Sequence, residues 1–194
     1  MKPVPQASAS WKDVDRLVGE QKYEEAAKAA ETILAAAKAK GNEADWTKAL
    51  VTVTQLRIGL HGYETAVRRL REEPWPEGAL PRAQLSLLYG HSLVTYQRAY
   101  SWEIGKREKV ETLGEVDLKA WTREQILAEA LRAALDVWKL REALGKEPVS
   151  AAGLVLDANS YPKEIRGSLR DAVSYLLVDL LADTAGWTPE QSNE

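Results

Sequence analysis

Apolar side chains recur at helical spacing along most of the chain, in blocks separated by Gly, Pro or Asn. Ala, Leu, Glu, Lys and Arg dominate these blocks, and all five residue types favour helices. Segments with the alternating polarity of a half-buried strand are nearly absent. The pattern therefore predicts an all-α fold.

Capping and helix-breaking residues set the bounds of the predicted helices in the first half of the chain. Ser10, with Asp13 in the first turn, is typical of a helix start, and Asn42 is placed to cap a later helix. Gly41 and Pro74 are typical stops. The first four helices are predicted over residues 10–19, 23–40, 43–58 and 63–73.

Three longer helices are predicted in the second half of the chain. Gly90 and His91 interrupt the middle of the first, which leaves its register open. Thr122 and Gln125 form a capping box, and the helix that they open is predicted to continue through Leu144. The three helices are predicted to begin near Leu80, after Thr122 and at Pro162, since proline suits the first helical position.

A pattern of Gly, Tyr, Glu and Ala occurs twice where one helix ends and the next begins. It comprises Gly19, Tyr23, Glu24 and Ala26 and, 40 residues later, Gly59, Tyr63, Glu64 and Ala66. A tyrosine after the turn and a small alanine three residues on allow two helices to pack closely, as in tetratricopeptide repeats, whose usual period is 34 residues. The pattern predicts an array of antiparallel, tetratricopeptide-like helical hairpins that form a single compact or superhelical domain.

The chain is expected to hold one helical domain with two short flanks. Residues 1–10 contain Pro3 and Pro5 and no apolar core of a signal peptide, which predicts a flexible leader. The helical repeat domain is predicted over residues 11–186, and residues 187–194 are expected to be a polar tail or the start of a linker. One domain agrees with a length of 194 residues.

The composition argues against several kinds of site. The chain has no cysteine, which excludes disulfides, thiolate metal sites and cysteine nucleophiles, and His61 and His91 are too few and too separate to suggest a metal site. A net charge of -3 without a basic block argues against a nucleic-acid groove. No phosphate-binding glycine motif occurs, and the longest apolar stretch is too short to span a bilayer. We therefore expect no enzymatic activity, no cofactor, no nucleic-acid partner and no direct membrane insertion.

Aromatic residues are the most unusual part of the composition, with seven Trp, seven Tyr and no Phe. Such side chains bury a large area while keeping a polar group, which suits helix interfaces and partner surfaces alike. Tyr96, Tyr100 and Trp102, followed by Arg107, are the candidates for a partner-binding groove on a concave helical face. Burial in the core is the alternative interpretation of the same residues.

A further alternative is an all-α enzyme in which Glu103 or Asp171 acts as an acid or base. No second catalytic group can be placed beside either residue from the sequence. Asp171 also has a structural explanation, because Arg166 and Arg170 lie one helical turn apart beside it and one of them could form an ion pair with it. A non-enzymatic interaction domain is the preferred interpretation.

Several segments of the second half resemble a known family. They are YSWEIGKRE at residues 100–108, YPKEIRGSLRDAVSY at 161–175, LLAD at 180–183, and Trp187. Together they are similar to the helical N-terminal region of large bacterial alpha-2-macroglobulin-family proteins. With the helical repeats that precede them, the resemblance extends over nearly the whole chain.

The resemblance implies a periplasmic or envelope-attached protein whose later domains trap proteases. This chain would then be an accessory helical scaffold that binds a protein partner or a neighbouring domain of a longer chain. The family's thioester requires a cysteine, as does acylation of its membrane form, and this chain has none, so no family catalytic residue carries over. The alternative is a free-standing tetratricopeptide-like adaptor that binds an extended peptide in its concave face.

Overall fold

The computed structural model describes residues 9–108, 116–157, 162 and 164–183. Within these ranges the chain forms nine α-helices and one short 3-10 helix and contains no strand, so the prediction of an all-α fold is confirmed. Most of the predicted leader, residues 1–8, and the predicted tail lie outside the described residues. The helices are α1 (Trp11–Gly19), α2 (Tyr23–Lys40), α3 (Glu43–Gly59), α4 (Tyr63–Glu72), α5 (Ala79–Ala99), α6 (Ser101–Ile104), α7 (Arg123–Lys139), α8 (Arg141–Leu144) and α9 (Leu169–Ala182), with the 3-10 helix at Val149–Ala152.

Side-chain caps begin the helices where the sequence predicts them. The Ser10 hydroxyl accepts a hydrogen bond from the Asp13 amide at 3.3 Å and completes a capping box at the start of α1. Thr122 and Gln125 form the same arrangement before α7, and Asn42 caps α3. The predicted bounds of the first four helices therefore agree with the structure to within one residue.

Two predictions of helix bounds in the second half are wrong. The helix opened by Thr122 ends at Lys139 rather than at Leu144, because the Leu140 amide bonds to a carbonyl three residues back and the chain turns into α8. The last helix begins at Leu169 rather than at Pro162, because Ser168 forms a capping box with Asp171. The Leu169 amide also donates to the carbonyl of Glu147 at 2.8 Å, which fixes this helix start against the preceding segment.

Helix α5 is the centre of the packing and runs through Gly90 and His91 without a break. It packs against α3, α4 and α7, and α9 packs in turn against α7 and α8. A Cβ atom on Gly90 would lie 3.4 Å from the Cβ of Ala133 in α7. That distance is a van der Waals contact, so α5 lies close to α7 at this point, and Gly90 does not interrupt the helix.

The buried apolar residues form two clusters. The larger one contains residues of α1 to α7, including Leu93 of α5 and Ile126 of α7, which are fully buried. The smaller one joins α5, α7, α8 and α9 through residues such as Val137, Leu144 and Leu169. Because α5 and α7 contribute to both clusters, they connect the first half of the domain to the last helix.

The turns after α1, α2 and α3 share one backbone geometry, in which a residue with positive φ ends each helix. These residues are Gln21 (φ 59°), Gly41 (φ 65°) and His61 (φ 65°). In each turn the next amide donates to the carbonyl five residues back, which is the bond typical of a Schellman motif. The bonds join Lys22 to Leu17, Asn42 to Ala37 and Gly62 to Arg57, at 2.9, 3.0 and 3.0 Å. The 40-residue sequence pattern thus includes two matching turns, after α1 and after α3.

These turns predict the effect of exchanging glycine at the positive-φ positions. Gln21→Gly and His61→Gly should each raise the free energy of unfolding by about 0.5 kcal/mol or more, because a residue with a Cβ is strained at positive φ. Gly41→Ala should lower it by about 1 kcal/mol for the same reason. Urea unfolding monitored by circular dichroism measures all three values. The control is Gly59→Ala, where φ is not positive and the new Cβ would meet no atom within 4 Å; equal effects at positions 41 and 59 would contradict the prediction.

Candidate functional site

The aromatic residues predicted as a partner-binding group lie where α5 passes into α6. Tyr96 is fully buried, and its ring packs against those of Tyr63 and Tyr100, with centroids 5.4 and 4.7 Å apart. The Tyr63 hydroxyl donates to the carbonyl of Ser92 at 2.8 Å, which ties α4 to α5. Tyr96 therefore belongs to a group of three packed tyrosine rings that joins α4 to α5.

Arg107 binds the protein's own backbone. Its Nη1 atom donates to the carbonyls of Leu118 and Trp121, at 2.6 and 2.9 Å, and its Nη2 atom donates to the Tyr96 hydroxyl at 3.4 Å. These bonds hold the segment that precedes α7 against the end of α5. A guanidinium suits this position because its planar fork reaches two carbonyls at once.

Tyr100 and Trp102 lie at the surface beside this buried group. Tyr100 is 40% exposed and Trp102 is 74% exposed. The ammonium of Lys106 lies 3.2 Å from the centroid of the Trp102 ring, in a cation–π arrangement that orients the indole. The structure therefore brings the four predicted residues together, with two at the surface and two in contacts that maintain the fold. Their role in partner binding stays a prediction.

Helix α9 carries apolar side chains around most of its circumference. Leu169, Ala172 and Val173 are buried against the rest of the domain. On the opposite side Tyr175, Val178 and Leu181 are 45%, 59% and 50% exposed. The polar residues Arg170, Asp171 and Ser174 lie in the first two turns of the helix, and Asp179 is the charged residue of its last two turns. We call the exposed side formed by Tyr175, Val178 and Leu181 the outer face of α9.

A shallow groove of about 210 Å³ runs beside this face, between α5, α7 and α9. Leu176, Leu177 and Leu180 line it from α9, and Val94 and Ala134 line it from α5 and α7. The sequence patterns that predict the last helix do not single out this region as a surface. The signal was present in the sequence as the run from Tyr175 to Ala182, in which Asp179 is the one polar residue.

The partly buried carboxylate of Glu129 joins α4, α5 and α7. It accepts a hydrogen bond from the Tyr89 hydroxyl at 2.9 Å and from Arg132 Nε at 2.6 Å, and Arg71 Nε lies 3.7 Å away. Burial by itself would raise the pKa of Glu129, but the hydrogen bonds from Arg132 and Tyr89 outweigh it and hold that pKa below its ordinary value. The same burial and the adjacent carboxylate raise the pKa of Tyr89, so its hydroxyl remains a donor.

The lowered pKa of Glu129 predicts a pH-dependent contribution to stability. A carboxyl group with a lower pKa in the folded state stabilises that state above its unfolded value, near 4.3, and loses the contribution as pH falls through the folded value. Glu129→Gln should therefore lower the free energy of unfolding by about 2 kcal/mol at neutral pH, and the difference from the parent should shrink below about pH 4. Urea unfolding from pH 7 to pH 3 measures it. A difference that is constant over this range would contradict the prediction.

The residues considered for catalysis and metal binding lie apart from one another. Asp171 accepts hydrogen bonds from the amide and the hydroxyl of Ser168, and these bonds lower its pKa. Glu103 is exposed on α6. His91 is exposed on α5, and His61 occupies the positive-φ position after α3. Among the described residues no group of three His, Asp or Glu side chains is placed to hold a metal ion.

Two further findings concern the described helices and the chain as a whole. None of the helices in the described ranges is both long enough and apolar enough to cross a membrane. Comparison of the chain with protein-family models, with curated proteins and with solved structures finds no match.

Proposed function

We propose that this chain is a non-enzymatic helical domain that binds a protein partner, or a neighbouring domain of a longer chain, through the outer face of α9. The proposal rests on the exposure of Tyr175, Val178 and Leu181, which share one face of α9, while the opposite face is buried against the domain. Exposed apolar side chains that share one helix face are typical of protein interfaces. The groove beside them, lined by Leu177 and Leu180, widens the apolar area that a partner would cover.

We further propose that the helices form tetratricopeptide-like hairpins. The matching turns at Gln21 and His61, 40 residues apart, support this arrangement for the first two helix pairs. Ala26 and Ala66, at equivalent positions after these turns, are both buried, as a close helix contact requires. Tyr23 and Tyr63 differ, since Tyr23 is exposed and Tyr63 packs against Tyr96.

The resemblance of residues 100–108 and 161–175 to bacterial alpha-2-macroglobulin-family proteins supports a proposed place in a periplasmic or envelope protein that traps proteases. In that setting this domain would act as an accessory scaffold, and protease trapping would belong to other domains. The outer face of α9 would then contact a neighbouring domain.

Affinity capture with single-residue variants tests the proposal. The purified chain is immobilised and exposed to native envelope and soluble extracts, beside a Val178→Lys variant and a Lys28→Glu control on the exposed surface of α2. We expect a specific protein that the parent and the control retain and that Val178→Lys loses, because a charge on the outer face opposes apolar contact. Equal retention by Val178→Lys would contradict the assignment of this face.

The peptide-binding adaptor remains a second candidate because Trp102 is largely exposed beside Tyr100. Under that proposal the Tyr100→Ala/Trp102→Ala double variant, confirmed as folded by circular dichroism, loses the captured protein, and Val178→Lys keeps it. Under the first proposal the outcome is reversed. The same capture experiment therefore distinguishes the two surfaces.

A further inference from the structure

A second cleft, of about 390 Å³, lies between the end of α4 and the facing sides of α5 and α7. No residue of α9 lines it, so it is separate from the outer face of α9. Its charged lining consists of four cations and one carboxylate: Arg71, Arg82, Arg132, Lys139 and Asp136. Cations remain in excess when Glu129, beneath Arg71 and Arg132, is counted as a second carboxylate. A chain with a net charge of -3 thus concentrates positive charge in one concave site.

The four cations differ in how far the protein already neutralises them. Arg132 is bound on two sides, by Glu129 and by Asp136, whose Oδ2 atom lies 2.8 Å from its Nη1 atom. Lys139 shares Asp136 at 2.8 Å. Arg71 has a long contact of 3.7 Å to Glu129, and the guanidinium of Arg82 has neither a hydrogen bond nor an ion pair with any residue in the described part of the chain. Arg71 and Arg82 therefore keep donor groups that face the cleft.

Two of the remaining lining residues, Trp75 and Tyr89, are aromatic and are held in place by hydrogen bonds. The Trp75 indole donates to the carbonyl of Leu70 at 2.7 Å, which holds the ring against the end of α4. The Tyr89 side chain is buried and its hydroxyl is held by Glu129. A cleft with two fixed aromatic side chains, a volume within the usual range of ligand sites and available guanidinium donors is suited to an anion that bears several acceptor oxygens.

We propose that this cleft is a binding site for an oxyanion, a carboxylate or phosphate group held between Arg71 and Arg82. Arginine recognises both groups through paired N–H donors, and the excess of cations in the cleft favours a ligand with more than one negative charge. The oxyanion belongs either to a small free anion or to an acidic side chain of a peptide. Asp136 limits the affinity, because it occupies donors of Arg132 and Lys139 that would otherwise face the ligand.

Calorimetric titration of the full chain at low ionic strength tests the site with three probes: citrate, pyrophosphate and a hexaglutamate peptide. We expect saturable binding of at least one probe at one site per chain, weakened by added salt. The probe that binds most tightly identifies the source of the oxyanion. The Trp75 indole signal in a ¹H–¹⁵N spectrum should shift with the same saturation, because the ring forms one wall of the cleft.

Matched variants make the result specific to this cleft. Arg71→Gln and Arg82→Gln should each weaken binding about tenfold, whereas Arg16→Gln on α1, with the same change of charge, should leave it unchanged. Asp136→Asn should tighten binding severalfold, and Asp15→Asn, on the exposed surface of α1, should not. No saturable binding of any probe at low millimolar concentration would overturn the proposal, as would equal effects of the cleft variants and their controls.

Discussion

Val173→Lys should unfold this domain far more readily than Val178→Lys, although both changes place the same side chain on α9. Val173 is 4% exposed and belongs to the cluster that joins α9 to α5, α7 and α8, whereas Val178 is 59% exposed. A lysine at position 173 buries an unpaired ammonium, so we expect the free energy of unfolding to fall by about 4 kcal/mol. At position 178 the ammonium stays in water, and the expected change is within about 0.5 kcal/mol.

Urea unfolding monitored by circular dichroism measures both variants under the same conditions. Val173→Leu serves as an apolar control, since it keeps the position uncharged. Similar losses at positions 173 and 178 would mean that both sides of α9 are buried in the isolated chain. The outer face would then have no area left for a partner.

Leu93→Ala, in the larger cluster, should destabilise the domain far more than the same truncation of an exposed leucine. Leu93 is fully buried in α5, the helix that packs against α3, α4 and α7. Removal of its side chain leaves a cavity between helices that contribute to the same core, and we expect a loss of about 3 to 4 kcal/mol. Leu135→Ala on α7, where the leucine is 40% exposed, is the matched control and should cost less than about 1 kcal/mol.

The midpoints and slopes of urea unfolding report the two truncations. A Leu93→Ala protein that unfolds at the same urea concentration as Leu135→Ala would contradict the central place of α5 in the core. An unfolding curve with two transitions, of which only one is shifted by Leu93→Ala, would instead show that the two clusters unfold separately.

Local sequence signals predicted the helices well wherever a cap and a stop lay close together. Ser10 and Asn42 cap α1 and α3 as expected, and α2 has the predicted bounds, residues 23–40. The start of α9 differs from the prediction because Pro162 and Ser168 both suit a helix start, and the capping box with Asp171 together with the bond from the Leu169 amide to the Glu147 carbonyl favours the second. Choices of this kind depend on contacts between distant segments.

The candidate site shows the same limit. Tyr96 and Tyr100 are one helical turn apart and their rings are in contact. Tyr96 is nevertheless fully buried, whereas Tyr100 is 40% exposed. The sequence suggests Arg107 as a residue of a partner-binding groove, but in the structure it donates to the carbonyls of Leu118 and Trp121. No local sequence pattern indicates that these carbonyls lie close to Arg107. The spacing of these residues along the chain predicts that they lie together. It does not predict which of them are buried in the fold and which are exposed at the surface.

Site-specific photocrosslinking is the direct test of whether the outer face of α9 contacts another protein. A photoreactive phenylalanine analogue replaces Val178 in the full chain, expressed in its native cells, and a control carries the analogue in place of Lys28 on α2. We expect a discrete crosslinked product of higher mass at position 178 that is absent at position 28. No product at position 178, or the same product at both positions, would contradict that expectation.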